Sequence, residues 1–165
     1  MSELTDLLER FRRGPEMVAV ATTGVAGSEM DFVTAPGKWS IRQIVAHLAD
    51  DEIVAATRFR RVIAEERPAL ESFDQDAWAA NLDYARRKPS QSLETLRRIR
   101  AENHDLLKEL PESAFEREGV HSERGPMTLA DLLRMYTAHD EAHVLQLRAN
   151  RAAFKQFKAQ QAAHT

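Results

Sequence analysis

Apolar residues recur at helical spacing along most of this chain, and the polar positions between them mark where each helix begins and ends. Leu4, Leu7, Leu8 and Phe11 form the first stripe. Gly14-Pro15 interrupts it. Proline suits the first turn of a helix better than its interior, so the pattern predicts a broken first helix that restarts at Pro15 and runs from Glu16 to about Thr23. A loop around Gly24 and Gly27 follows. The second helix carries the clearest start signal: Ser40 with Gln43 is a capping box, and Trp39 before the cap is placed to pack on Ile44 as a hydrophobic staple. Ile41, Val45, Leu48, Ala55, Phe59 and Val62 continue the stripe to about Glu66, ahead of Pro68.

From Pro68 to Pro89 the pattern is irregular, with Asp74 able to cap a short helix carrying Trp78. A connection of this length is long for antiparallel neighbours and suits a crossover between parallel helices. The third helix begins near Ser90 or Ser92 and ends at Leu110, before Pro111, with Leu93, Leu96, Ile99, Asn103, Leu107 and Leu110 inward. Residues 112–127 read as a loop or short hairpin. Thr128 then caps a fourth helix through Leu129, Leu132, Leu133, Tyr136 and Leu147 to about Asn150. The basic tail, residues 151–165, can extend that helix, with Phe154 and Phe157 one turn apart. The expected architecture is an all-α four-helix bundle in a single domain spanning residues 1–165, its core at about 5–150.

Composition narrows the picture. Six Gly and six Pro in 165 residues are few for an all-β fold. The net charge of −3 argues against broad nucleic-acid binding. No apolar run approaches the roughly 20 residues that span a bilayer, and the N-terminus lacks an apolar signal core, so no membrane role and a cytoplasmic location are expected. The chain has no cysteine, which leaves His, Asp and Glu as the metal ligands available.

His139 and His143 stand four residues apart on the fourth helix, so both rings share one face and can share one ion. A pair of this kind is by itself more often surface or core than ligand. His47 changes the balance. It lies about 10 Å from the start of its helix, and His143 about 10 Å from the expected end of the other, so an antiparallel pair of helices two and four brings all three rings to one level. Three neutral imidazoles suit zinc, nickel, iron or cobalt rather than magnesium or calcium, and three protein ligands leave a position for water or substrate. The string HDEAH is not the zincin motif: the residue after the first histidine is Asp140, and Glu141 points away.

Other residues weigh less. Asp51, one turn beyond His47, can orient a ligand ring or take a proton, or be a solvated acid. Glu52 falls on the apolar stripe and needs an arginine partner or a place near the metal cavity. Tyr136 and His121 are further candidates at the site, with core and surface as their plainer readings, and Asp140 and Gln146 weaker ones. Arg58, Arg60 and Arg61, like Arg97, Arg98 and Arg100, read mostly as solvated faces paired with Glu, although either cluster can bind an anionic thiol. Trp39 and Trp78 read as packing residues, and His104 and His164 fall in no pattern.

GKWSIRQIVAHLADDE, RPALESFDQDAW, GVHSERGPMTL and MTLADLLRMYTAHDEAHVLQL, in that order, resemble the DinB/YfiT-like family of helical metalloproteins over about residues 5 to 150. The resemblance implies a four-helix bundle whose three histidines, here His47, His139 and His143, bind zinc or nickel. It also implies chemistry on a small-molecule substrate, of the thiol S-transferase or hydrolase type, with a low-molecular-weight thiol as cosubstrate in some branches. The alternative is a non-enzymatic metal-binding or stress-linked protein, and a homodimer is compatible with either.

Overall fold

The computed structural model describes residues 3–164. Four long helices carry the structure: α1 (Glu3–Ala21), α3 (Ile41–Ala64), α5 (Pro89–Lys108) and α6 (Leu129–Ala163). Between them lie a single turn α2 (Ser28–Asp31), a short α4 (Gln75–Asn81), and three short strands, β1 (Ala69–Leu70), β2 (Glu118–His121) and β3 (Gly125–Thr128).

Side-chain pairings set the helix directions. Glu3 meets Arg134, Arg10 meets Glu141 and the Ala21 carbonyl accepts from Arg151, so α1 and α6 run parallel. Glu52 meets Arg100 and Arg60 meets Asn103, so α3 and α5 run parallel as well. The α3–α6 pair is antiparallel, because Asn150 bonds the Trp39 carbonyl at one end while Phe59 packs on Tyr136 towards the other. Glu16 opposite Arg97 and the Phe11 carbonyl opposite Arg100 make α1 and α5 antiparallel. The result is an up-down-down-up bundle, and the parallel α3–α5 pair requires the long crossover expected from residues 68–89. With 24 residues, α3 is about 36 Å long, which the crossover must retrace.

The expected capping box at Ser40 forms, and the expected Thr128 cap is a capping box as well. Ser40 Oγ accepts from Gln43 N while Gln43 Oε1 accepts from Ser40 N, and Thr128 and Asp131 repeat the exchange at α6. Asp74 caps α4 through Ala77 N. Arg117 closes the far end of α3 by donating to the carbonyls of Val62 and Glu65.

Two features differ from the pattern, and two that it left open are decided by the structure. α1 is continuous through Gly14-Pro15 rather than broken. Pro15 has no N–H to offer the Phe11 carbonyl one turn earlier, and Arg100 Nη1 supplies that bond instead at 2.6 Å. A Cβ on Gly14 would collide with Asp140 Oδ2 and Arg100 Nη1, so the glycine marks a close approach within a helix, not its end. Of the loop or short hairpin expected before α6, it is the hairpin that forms, β2–β3, and β1 of the crossover adds to β2 in parallel, Leu70 opposite His121. Gly119 permits this, since a Cβ there would crowd Leu70 Cδ1 at 2.7 Å. The tail extends the fourth helix, α6 continuing past Asn150 to Ala163, and Phe154 and Phe157 pack on Phe32. Finally, the arginine clusters are not uniformly solvated. Arg61, Arg97 and Arg98 pair with Glu at the surface, whereas Arg58 and Arg100 are buried.

Two apolar clusters fill the bundle. One gathers Leu7, Phe11, Phe59, Leu107 and Leu132; the other Val18, Ile44, Leu48, Leu96, Val144 and Leu147. Between them lies a polar layer. Arg100, 2% exposed, donates from Nε and Nη2 to the two oxygens of Glu52 and stands 2.8 Å from Asp140 Oδ2, and Asn103 Nδ2 donates to Glu52 Oε1. The arginine that Glu52 requires is therefore Arg100. Replacing Arg100 by Met leaves two buried carboxylates without their cation, Glu52 with Asn103 alone as donor, and the Phe11 carbonyl without a donor. Loss of one partner of a buried ion pair costs about 3–5 kcal/mol, and urea unfolding of Arg100→Met is expected to show a deficit of that order.

Candidate metal centre

The antiparallel α3–α6 pair places His47, in the second turn of α3, against His139 and His143 on α6. His47 Nε2 lies 3.1 Å from His139 Nε2, and His143 Nε2 lies 3.0 Å from His139 Nε2. One ligand atom from each ring falls within 4.8 Å of the others, a group able to hold a metal ion. His47 is fully buried and the two α6 histidines are half-buried. The expected level for the three rings holds although α6 runs on past Asn150, because the Asn150–Trp39 bond aligns that residue with the start of α3.

Each ring is held by a neighbour. Gln146 Oε1 lies 2.7 Å from His143 Nδ1, which directs Nε2 of that ring towards the other two. Trp39 stacks at 4.9 Å on His47, whose Nδ1 is buried without a partner. Asp51 Oδ2 approaches His139 Nδ1 to 3.2 Å without hydrogen-bond alignment. Burial pushes the His47 and His139 imidazoles down to about 3, with the neighbouring His143 adding to both. His143 is lowered by burial too. All three rings are thus neutral at pH 7, with lone pairs free for a ligand bond. Burial, reinforced by Asp140 and Glu52, raises the Asp51 carboxyl to about 7.

A cavity of about 130 Å³ opens beside His139. α3 contributes Asp51 and Arg58 to its wall, α6 contributes Met135 and Tyr136, the crossover Ser72, Phe73 and Gln75, and the hairpin His121, Glu123 and Arg124. His121 is therefore at the cavity rather than on the outer surface. Its Nδ1 accepts from Glu123 N at 3.2 Å, and burial with the nearby Arg58 and Arg124 keeps the ring neutral, its proton on Nε2. Tyr136 Oη accepts from Arg58 Nη1 at 2.9 Å. Asp140 turns instead to Arg100 in the bundle centre, and Glu141 pairs with Arg10 at the surface. Arg58, which the sequence offered only as one of a cluster of mostly solvated arginines, is brought to the cavity wall. It stands eleven residues after His47, three turns along the same face of α3, and that spacing was the available signal.

The bundle topology and its central histidine cluster define a class: the chain belongs to the DinB superfamily, whose family model matches residues 10–147. YfiT of Bacillus subtilis (strain 168), which carries the provisional name of a metal-dependent hydrolase, is 30% identical over 134 residues, covering 81% of this chain and 75% of its own. The solved structure of YfiT, described as having an unusual four-helix bundle topology, superimposes with a TM-score of 0.87 at 26% identity, covering 94% of this chain and 90% of that one. A mycothiol-dependent maleylpyruvate isomerase shares the fold at a TM-score of 0.71 and 17% identity, over 88% of this chain and 61% of the isomerase. Among the described residues no helix is long and apolar enough to cross a membrane.

The depressed histidines make the metal-free protein acid-sensitive. A ring at about 3 when folded and 6.5 when free binds fewer protons folded than unfolded between those values. Its contribution to stability is complete above 6.5 and is lost as the pH falls. Asp51 works in the opposite sense, but it is common to wild type and His47→Gln, so comparing the two isolates His47. From pH 7 to pH 5 the metal-free wild type is expected to lose about 2 kcal/mol more than the variant, read by urea unfolding at the two pH values. Equal losses would contradict a neutral buried His47.

Proposed function

We propose that this chain is a metal-dependent enzyme acting on a small molecule, of the hydrolase or thiol S-transferase type, with His47, His139 and His143 as protein ligands of one divalent ion. The observation that carries the reading is the convergence of three neutral, oriented imidazole nitrogens beside a cavity. The donor set fits such an ion: His47 and His139 have their lone pairs free at neutral pH, and Gln146 fixes the tautomer of His143. Three imidazoles and no carboxylate suit zinc or nickel. His47, His139 and His143 would hold such an ion by three protein ligands, and it would supply Lewis acidity to a water or a thiol.

The chain's own residues do the rest. Asp51 Oδ2 stands 3.2 Å from His139 and, with its carboxyl near 7, can hold a proton taken from the nucleophile at neutral pH. Tyr136 Oη accepts from Arg58 and so keeps its own proton to donate. His121 keeps its proton on Nε2 for the same purpose. The chain contains no cysteine, so a thiol nucleophile comes with a cosubstrate, and otherwise the nucleophile is water. The provisional naming of YfiT and the thiol dependence of the isomerase support these two reaction types respectively.

Elemental analysis of the purified protein is expected to find one divalent ion per chain, and none in a His47→Ala, His139→Ala double variant that remains folded. An unchanged metal content in that variant would falsify the ligand assignment. Gln146→Ala is expected to weaken metal binding by about 10- to 100-fold without unfolding the bundle, as loss of a ring-orienting partner does; competition with a chromogenic chelator measures it. Fully loaded protein that turns over neither esters, amides nor thiol–electrophile pairs would favour a metal-binding role without catalysis.

A further inference from the structure

Arg58 is a buried cation to which the bundle provides no anion. It is 7% exposed, yet unlike Arg100 it makes no ion pair with a carboxylate among the described residues. Its Nη1 donates to Tyr136 Oη, its Nη2 to the Glu71 carbonyl oxygen, and its Nε is buried with no partner. A guanidinium carries five N–H groups, and only two are used. Buried cations are ordinarily compensated by an anion, because an unpaired charge removed from water is costly. Asp51 lines the same cavity but is not within ion-pairing reach. Glu123 and Arg124, also at the cavity, are exposed on the hairpin turn.

We propose that Arg58 anchors the carboxylate of a small organic acid whose reacting end lies at the three-histidine cluster. The inference rests on that cluster being the reaction centre. A planar guanidinium with unused N–H groups matches a carboxylate, and the Tyr136 hydroxyl, which accepts from Arg58, can donate its proton to the same anion. A phosphate dianion would call for a second buried cation, and the other arginine of the wall is exposed. Tyr136 and His139 are three residues apart on α6, about 4.5 Å of helix rise. That distance and the cavity of about 130 Å³ suit an acid with a few carbons between its carboxylate and its reacting group.

Side-chain ¹⁵N NMR of the zinc-loaded protein reads the Arg58 Nε–H directly, with propionate, propionamide and inorganic phosphate as probes. Propionate is expected to shift that resonance saturably, propionamide to leave it unmoved, and phosphate to bind at least tenfold more weakly. By calorimetry, Arg58→Met is expected to lose at least tenfold in propionate affinity while keeping wild-type metal content, and Arg58→Lys to recover part of the loss. The proposal is overturned if propionate does not bind, if it binds without moving Arg58 Nε–H, if Arg58→Met binds it as wild type does, or if phosphate binds more tightly. Should Arg58→Met fail to fold, the wild-type titration decides alone. Metal content assayed in parallel keeps the two readings apart: its loss counts against the metal centre, while the Arg58 titration counts only for or against the carboxylate anchor.

Discussion

The Arg100 guanidinium is the one group that all four long helices must satisfy. It takes Glu52 from α3, Asp140 from α6 and the Phe11 carbonyl from α1, while itself belonging to α5. Apolar packing tolerates small rotations of a helix about its axis, since one aliphatic contact substitutes for another. A buried ion cluster does not, because a rotation that withdraws one partner leaves a charge uncompensated out of water. The layer between the two apolar clusters therefore fixes how each helix is turned. It also accounts for two features of α1 that look unfavourable in isolation. Gly14 makes room for the ion pair, and Pro15 frees the carbonyl that Arg100 takes.

The histidine cluster follows from that rotation. Asp140 facing the centre puts its neighbour His139, and His143 one turn on, towards α3. Glu52 facing Arg100 likewise puts Asp51 beside His139. The histidines thus sit on regular helices whose rotation is set elsewhere, which is how a constellation is held to a fraction of an ångström. The cavity beside them is made differently. Two of its walls come from irregular chain, the crossover and the hairpin, joined where β1 pairs in parallel with β2. Helices position the reactive groups and connecting segments shape what can reach them, the usual division between scaffold and loop.

The crossover is a consequence of topology as much as a device of function. In an up-down-down-up bundle α3 and α5 run the same way, so the chain has to return the length of α3 before α5 can begin. Asp50, buried on α3, receives Tyr84 Oη at 2.9 Å and Arg87 Nη2 at 2.6 Å, which fastens the end of that return to the helix it has passed. The same return carries Ser72 and Phe73 past Arg58 and His121. YfiT keeps this fold at 26% identity, a level at which the helix directions and the crossover are retained while most side chains differ.

Much of this was legible in the sequence, because helices announce themselves locally. The Ser40 box, the Thr128 and Asp74 caps and most of the apolar stripes depend on residues within a few positions of each other, and they appear where the pattern places them; on α5 Arg100 takes the buried place beside Ile99, which was expected inward. The length of chain between Pro68 and Pro89 suited a parallel pair, and the positions of His47, His139 and His143 along their helices put them at one level once helices two and four run antiparallel. What the tertiary structure alone decided depends on partners distant in the chain. Gly14-Pro15 reads as a break until Arg100, some 85 residues on, supplies the missing donor. Arg58 and Arg100 read as solvated until the bundle closes over them, one matched by Glu52 and Asp140 and the other left facing a cavity. Local pattern sets where helices begin and which face is apolar; the fate of a charge on that face is settled only by what packs against it.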